Sequence, residues 1–245
     1  MKKRGEKLLL TVIAEKENIN EKNGKILISN KSDCNHIQNV YRLDIDDELR
    51  AVDGEYEYFT KIAEISKKEI ILKILKKKED SYSLNVNIDV AMGILKNDKM
   101  NLAIQKLTEI GVKSIIPLKT ERVVVKINEK KDKWDTIVKE TLKQCRGIKF
   151  TEILDVKKLV EIDYKKYDKI IFAFENSNES KSLSEIIKKE DKNILYIIGP
   201  EGGITQEEVE FLKKNKAVEI SLGKRILRAE TAAIVVCGII ANFYM

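Results

Sequence analysis

The chain has 245 residues, 43% of them hydrophobic and 35% charged, with 46 Lys+Arg against 40 Asp+Glu, a single His and three Cys. That hydrophobic share argues for a folded core and against disorder, and the formal charge of +6 favours a polyanionic partner without requiring one. Cys34, Cys145 and Cys237 show no paired spacing and one His cannot complete a Cys/His zinc set, so no metal is expected and the thiols read as reduced in an intracellular protein.

In chain order, Lys7 to Ala14 is basic and then briefly apolar, lacks a small-residue cleavage pattern, and reads as a first strand rather than a signal peptide. Short apolar segments follow over Lys25–Ser29, Glu48–Val52, Tyr56–Ile65 and Glu69–Leu75, punctuated by Asn23-Gly24 and Asp53-Gly54. Such dipeptides favour hairpins because they tolerate positive φ. Together they predict a small all-β barrel or sandwich over residues 1–78, with the polar stretch Lys76–Ser83 leading into a second domain over 79–245.

There the pattern changes. A strand is predicted over Val86–Leu95, a helix over Asp98–Ile110 stopped by Gly111, and a strand over Val112–Leu118. A helix from Lys131 to Cys145 follows, then a strand over Lys169–Phe174, a helix over Leu183–Lys189 and a strand over Ile194–Ile198. The series closes with a helix over Gln206–Lys214, a strand over Ala217–Ser221 and a helix over Ala229–Phe243. Alternating strands and helices imply an α/β domain with a mostly parallel sheet. The longest apolar run, Ala232–Ala241, is short of the roughly 18 to 20 residues that a membrane span needs, so no membrane partner is expected.

Two loops stand out. Ile198-Gly199-Pro200-Glu201-Gly202-Gly203-Ile204-Thr205 and Leu222-Gly223-Lys224-Arg225-Ile226-Leu227-Arg228 each follow a predicted strand and precede a predicted helix. In open α/β sheets, ligands bind at that carboxyl edge. Gly202-Gly203 frees the backbone for close approach, and Thr205 with Glu208 forms a capping box for the next helix. A phosphate cradle fits poorly: the P-loop Lys-Ser/Thr is missing and Glu201 would repel the anion, whereas a cationic or zwitterionic ligand would be welcome. Leu222, Ile226 and Leu227 offer an apolar clasp for a ring. Only seven cations are Arg against 39 Lys. Arg122, Arg146, Arg225 and Arg228 therefore stand out near candidate loops, where the planar guanidinium suits phosphate or carboxylate.

With these residues in view, the chain resembles the RsmE family of ribosomal RNA small-subunit methyltransferases, within the SPOUT superfamily. The two loops, the second continued through Ala229-Glu230-Thr231-Ala232, carry the resemblance; Lys106–Val112, Ile116-Pro117-Leu118, Glu121-Arg122, Glu140 to Arg146, and His36 to Arg42 support it in family order. It implies an amino-terminal PUA-like RNA-binding barrel and a carboxyl-terminal domain tied in a deep trefoil knot. It also implies S-adenosylmethionine as cofactor, a homodimer, a cytoplasmic location, and N3 methylation of one uridine in 16S ribosomal RNA.

On that reading Ile198, Gly199, Gly202, Gly203, Leu222, Gly223, Ile226, Leu227 and Ala232 bind the cofactor. Arg228, Glu230 and Glu201 are the catalytic candidates, and His36, Arg42, Arg122 and Arg146 contact RNA. The chain departs from the family at Lys7-Leu8-Leu9-Leu10, where an aromatic-bearing start is usual, and at Asn35-His36, where a His pair is usual. Rival readings are a SPOUT ribose 2′-O-methyltransferase, a non-catalytic RNA-binding assembly factor and a small-molecule α/β enzyme.

Overall fold

The computed structural model describes residues 9–125, 127–174 and 183–245. It comprises two compact units, one formed by the described residues up to Ser83 together with Leu142–Lys149, the other by Leu84–Thr141 with Phe150–Met245. Lys7 and Leu8 of the predicted first strand lie outside the described residues.

In the first unit, strands β1 (Thr11–Ile13), β2 (Ile19–Asn20) and β3 (Lys25–Ile28) precede a short helix α1 (Lys31–Asn35), and β4 (Glu48–Val52), β5 (Tyr56–Ile65) and β6 (Ile70–Glu79) follow it. They make one sheet in the order β1-β4-β5-β6-β3-β2, antiparallel except where β1 runs parallel to β4. Both expected glycine turns are present: Gly24 has φ 62° and Gly54 φ 94°, the region that side chains disfavour. At the second turn, the Asp53 carboxylate accepts from the Glu55 and Tyr56 amides. Register shifts between Phe59/Thr60 and Ile62/Glu64 bend the long β5–β6 pair, and the curled sheet wraps Ile26, Ile37, Leu49, Tyr58, Ile62 and Leu72. Helix α1 and the π-helical turn over His36–Val40 were not foreseen, since that polar stretch carries no apolar period.

The second unit adds β7 (Asn87–Gly93), α2 (Asn97–Ile110), β8 (Ser114–Leu118), α3 (Asp132–Leu142, whose last residue groups with the first unit) and β9 (Glu152–Ile153). Then come β10 (Lys169–Ala173), α4 (Leu183–Ile186), β11 (Asn193–Ile198), α5 (Gln206–Lys214), β12 (Val218–Ile220) and α6 (Ala229–Tyr244). The sheet order is β12-β10-β11-β7-β8-β9, with every pairing parallel. Both faces are covered, which is why the central strands are near-continuous apolar runs. Ile194, Tyr196 and Ile198 of β11 face a core shared with α2 and α6, while Leu195 and Ile197 face a second core that includes Val209 and Leu212 of α5. Gly111 ends α2 with φ 97° as its predicted stop.

Two predicted helices end earlier than expected, and one short strand was not foreseen. The helix expected to reach Cys145 stops at Leu142, and the residues from there to Lys149 join the first unit. The helix expected to reach Lys189 stops at Ile186, since the Asp191 carboxylate accepts from the Lys188 amide and closes a competing turn. Strand β9, two residues long, is too short to show any alternation. Cys34, Cys145 and Cys237 are free thiols, and burial pushes the Cys237 thiol up to about 12. Among the described residues no helix is long and apolar enough to cross a membrane.

One close approach sets the carboxyl edge of this sheet. A Cβ on Gly93, at the end of β7, would stand 2.4 Å from the Pro200 nitrogen of the loop after β11, so only glycine fits. Gly93→Ala is expected to lower stability by about 1 to 3 kcal/mol through this overpacking. Thermal unfolding checks it: a melting temperature equal to that of the wild type would mean that the Pro200 loop yields freely.

Candidate active site

The carboxyl ends of β10, β11 and β12 open onto a cavity of about 480 Å³, within the range of small-molecule sites. Ala173 and Phe174 reach it from the end of β10, Ile198 to Glu201 with Gly203 and Ile204 from the loop after β11, and Ser221 to Ala229 from the loop after β12. Ala232 of α6 and Lys99 of α2 complete the lining.

The loop after β11 owes its shape to backbone constraints. The Gly203 amide donates to the Pro200 carbonyl at 2.9 Å, and Gly203 itself has φ 73°. A Cβ on Gly199 would meet Ile204 Cγ1 at 2.8 Å. The expected capping box is present, with Thr205 Oγ1 accepting from the Glu208 amide and Glu208 Oε2 accepting from the Thr205 amide. The other Glu208 oxygen accepts from the Glu121 amide at 3.0 Å, which ties the start of α5 to the loop that follows β8.

The loop after β12 is more open. Gly223 turns it with φ 108°, Leu222 and Leu227 pack back on the core, and Ile226 stands 79% exposed. Arg228 occupies the N-cap of α6 in extended backbone with no side-chain cap, leaving its guanidinium to face outward. Among the described residues, neither Arg225 nor Arg228 has a carboxylate partner. Lys99 and Glu201 form an ion pair across the cavity rim at 3.3 Å. With Lys224, Arg225 and Arg228 also in the lining, cations outnumber the one carboxylate there.

Of the sequence-predicted cofactor residues, Ile198, Gly199, Gly203, Leu222, Gly223, Ile226, Leu227 and Ala232 all line this cavity. Gly202 does not: a Cβ there would lie 2.9 Å from Arg122 Cβ, so its place is against the neighbouring loop. Arg122, grouped by sequence with RNA contacts, donates to the Gly202 carbonyl at 3.1 Å and braces the cavity loop. Arg228 and Glu201 are at the cavity, whereas Glu230 is buried in the first turn of α6, outside the lining, with Oε2 unpartnered among the described residues. Lys99, Phe174 and Gly93 were missed. Phe174 could have been found as the residue after a parallel strand, but Lys99 and Gly93 acquire their neighbours only through tertiary packing.

His36, Arg42 and Arg146 belong to the first unit. His36 meets the exposed Tyr41 ring edge-on, at 6.2 Å between centroids, and the exposed Arg42 follows with φ 54°. Aromatic faces beside cations suit unstacked bases and phosphates. Arg146 is exposed, and its carbonyl accepts from the buried Arg50 at 2.9 Å.

A family model described as RNA methyltransferase domain matches residues 82–241, and one described as RNA methyltransferase PUA domain matches residues 29–75. The chain is 31% identical over 213 residues to ribosomal RNA small subunit methyltransferase E of Bacillus subtilis, covering 82% of this chain and 83% of that one. It is 34% identical over 209 residues to the protein of the same name from Buchnera aphidicola subsp. Acyrthosiphon pisum, covering 82% and 81%. A methyltransferase structure from Legionella pneumophila, in complex with the bound cofactor SAM, has 26% identity and a TM-score of 0.82 over 96% of this chain and 98% of that one. Two loop motifs folded around one cavity, a domain match across most of the α/β unit and this degree of identity agree: the chain belongs to the ribosomal RNA small subunit methyltransferase E family.

Proposed function

We propose that this protein transfers the methyl group of S-adenosylmethionine to N3 of one uridine in 16S ribosomal RNA. The observation that carries the reading is the cavity itself, closed by two glycine-turned loops at the carboxyl edge of a parallel sheet. The Legionella relative, which shares this fold, is bound to SAM, and the Bacillus relative is named for ribosomal RNA methylation.

The residues present fit the cofactor. Ile198, Leu222, Leu227 and Ala232 supply apolar walls for an adenine ring, the turned backbone of both loops can approach its edge, and Glu201 supplies a carboxylate suited to a cation. When bound, S-adenosylmethionine supplies a methyl group on a positively charged sulfur, which departs as a neutral thioether. Uridine N3 carries a proton that must leave before its lone pair can attack. Arg228, at the rim and without a carboxylate partner among the described residues, lowers the cost of the resulting uridinate by placing a fixed cation beside it. Glu201 lies on the cavity and is the better placed proton acceptor of the two candidates, because Glu230 is turned into the α6 packing. The target base must be unpaired or turned out of its stack for N3 to reach this rim.

On this proposal the first unit serves as the RNA-binding domain and the second as the catalytic domain, and work on ribosomal RNA supports a cytoplasmic location. The chain leaves β12 at one edge of the sheet and lays α6 back against α2 and the central strands β7 and β11, a crossing that is compatible with the trefoil knot of the family resemblance. Helix α6 is mostly apolar, yet Val235 and Ile239 are exposed, as is Leu102 on the adjoining α2. An unpartnered apolar face of this kind supports a homodimer.

Three outcomes are expected. Purified protein with cofactor and 16S ribosomal RNA should yield N3-methyluridine on mass-spectrometric mapping; a methylated ribose would select the 2′-O reading, and absence of cofactor binding the assembly-factor reading. Arg228→Ala and Arg228→Lys should both lower single-turnover methylation, on the order of a hundredfold for Ala, with cofactor affinity by calorimetry unchanged. A loss lying wholly in cofactor binding would reassign Arg228 to the pocket. Ile239→Arg should halve the mass seen in sedimentation, and a wild-type protein already monomeric would remove the dimer.

A further inference from the structure

The segment Leu142–Lys149 is held in the first unit by three side chains. Lys143 pairs with the buried Asp33 of α1 at 2.6 Å, and Lys149 lies 3.6 Å from Asp80. Between them Arg50 of β4 places Nη2 at 2.9 Å from the Arg146 carbonyl and 3.2 Å from that of Gly147, while its Nε donates to Glu57 at 2.8 Å. Arg50 is 6% exposed and Glu57 1%, so this is a buried pair, approached at 3.8 Å by the Lys78 ammonium, with Arg50 Nη1 unpartnered among the described residues and the Tyr82 ring 5.8 Å from its Cζ.

Buried ion pairs are poor stabilisers compared with apolar side chains of like size, so packing alone gives little reason for one here. What it does hold is Arg146, whose φ of 57° disfavours any residue but glycine and persists only where neighbours enforce it. The next residue, Gly147, lies close to Leu142, where an added Cβ would stand 2.8 Å from the leucine Cδ1. The result is an exposed guanidinium on a rigid base.

We propose that Arg50 is a positioning residue for RNA binding: gripping the Arg146 and Gly147 carbonyls, it fixes the Arg146 guanidinium to meet a phosphate of the RNA. The inference rests on the reading of the protein as an RNA methyltransferase and names how that substrate is anchored. Only an arginine can bond Glu57 and both carbonyls at once, because its donors form a planar fork that an ammonium lacks. Arg50 does not itself touch RNA.

The test uses the full chain and transcribed 16S ribosomal RNA, with filter binding measured across salt concentrations. Arg146→Ala should weaken binding severalfold and reduce the slope of log affinity against log salt by about one, as expected when one fewer phosphate is neutralised. The double replacement R50M/E57M removes one positive and one negative buried side chain, so it leaves net charge unchanged, yet it should reduce the slope by the same amount. Combining it with Arg146→Ala should cost nothing more, and cofactor affinity should stay at the wild-type value throughout.

Wild-type slope in folded R50M/E57M, additive losses in the triple variant, or an unchanged slope in Arg146→Ala would each overturn the proposal. If R50M/E57M fails to fold, Arg50→Lys decides the matter in the same assay, with a reduced slope expected and wild-type slope overturning. Methylation is scored separately: wild-type protein that binds RNA without methylating it would refute the enzymatic reading while the slopes still decide the role of Arg50.

Discussion

Pro200 passes so close over Gly93 that no side chain can stand between them, and this approach holds in place a loop that lines the cavity. It joins the end of β7 to the loop after β11, two strands that pair in register from Asn87↔Asn193 to Met92↔Ile198. The loop rises only beyond that pairing, and the tight turn from Pro200 to Gly203 carries it toward the loop after β12. Braces act from the other side, where Arg122 holds the Gly202 carbonyl and Glu208 holds the Glu121 amide. A cavity built this way is largely formed before a ligand arrives, which lowers the ordering cost of binding.

Charge is distributed unevenly over that frame. Glu201 meets Lys99 inside the rim, and Lys224, Arg225 and Arg228 gather on the loop after β12. A cationic cofactor and a polyanionic substrate need opposite fields within one site. On the proposed reading, Glu201, the one carboxylate among the described lining residues, would serve the first and the surrounding cations the second.

The first unit solves a different problem. Its apolar core is small, and the segment Leu142–Lys149 is fastened to it through side chains of opposite charge at Asp33, Glu57 and Asp80, directly or by way of Arg50. Arg42 and Arg146 both adopt left-handed backbone in this unit. Two strained arginines in one unit suggest that directing a guanidinium outweighs local backbone preference there.

Much of this was legible in the residues. Hairpin dipeptides, alternating strand and helix periods, the Gly111 stop and the Thr205 capping box are local signals, and each reflects forces acting within a few residues: backbone sterics, side-chain capping and apolar periodicity. The two loop motifs likewise announced a site, because glycines at strand ends admit few alternatives. Tertiary structure alone decided the rest. The turn of Gly202 toward Arg122, the burial of Glu230 away from the cavity, the pairing of Lys99 with Glu201 and the capture of residues 142–149 by the first unit all depend on partners between roughly 80 and 110 positions away in sequence or on packing across a helix face. No periodicity or composition records which distant segments a parallel sheet brings side by side, since strand order is set by how the whole set of apolar faces is buried at once.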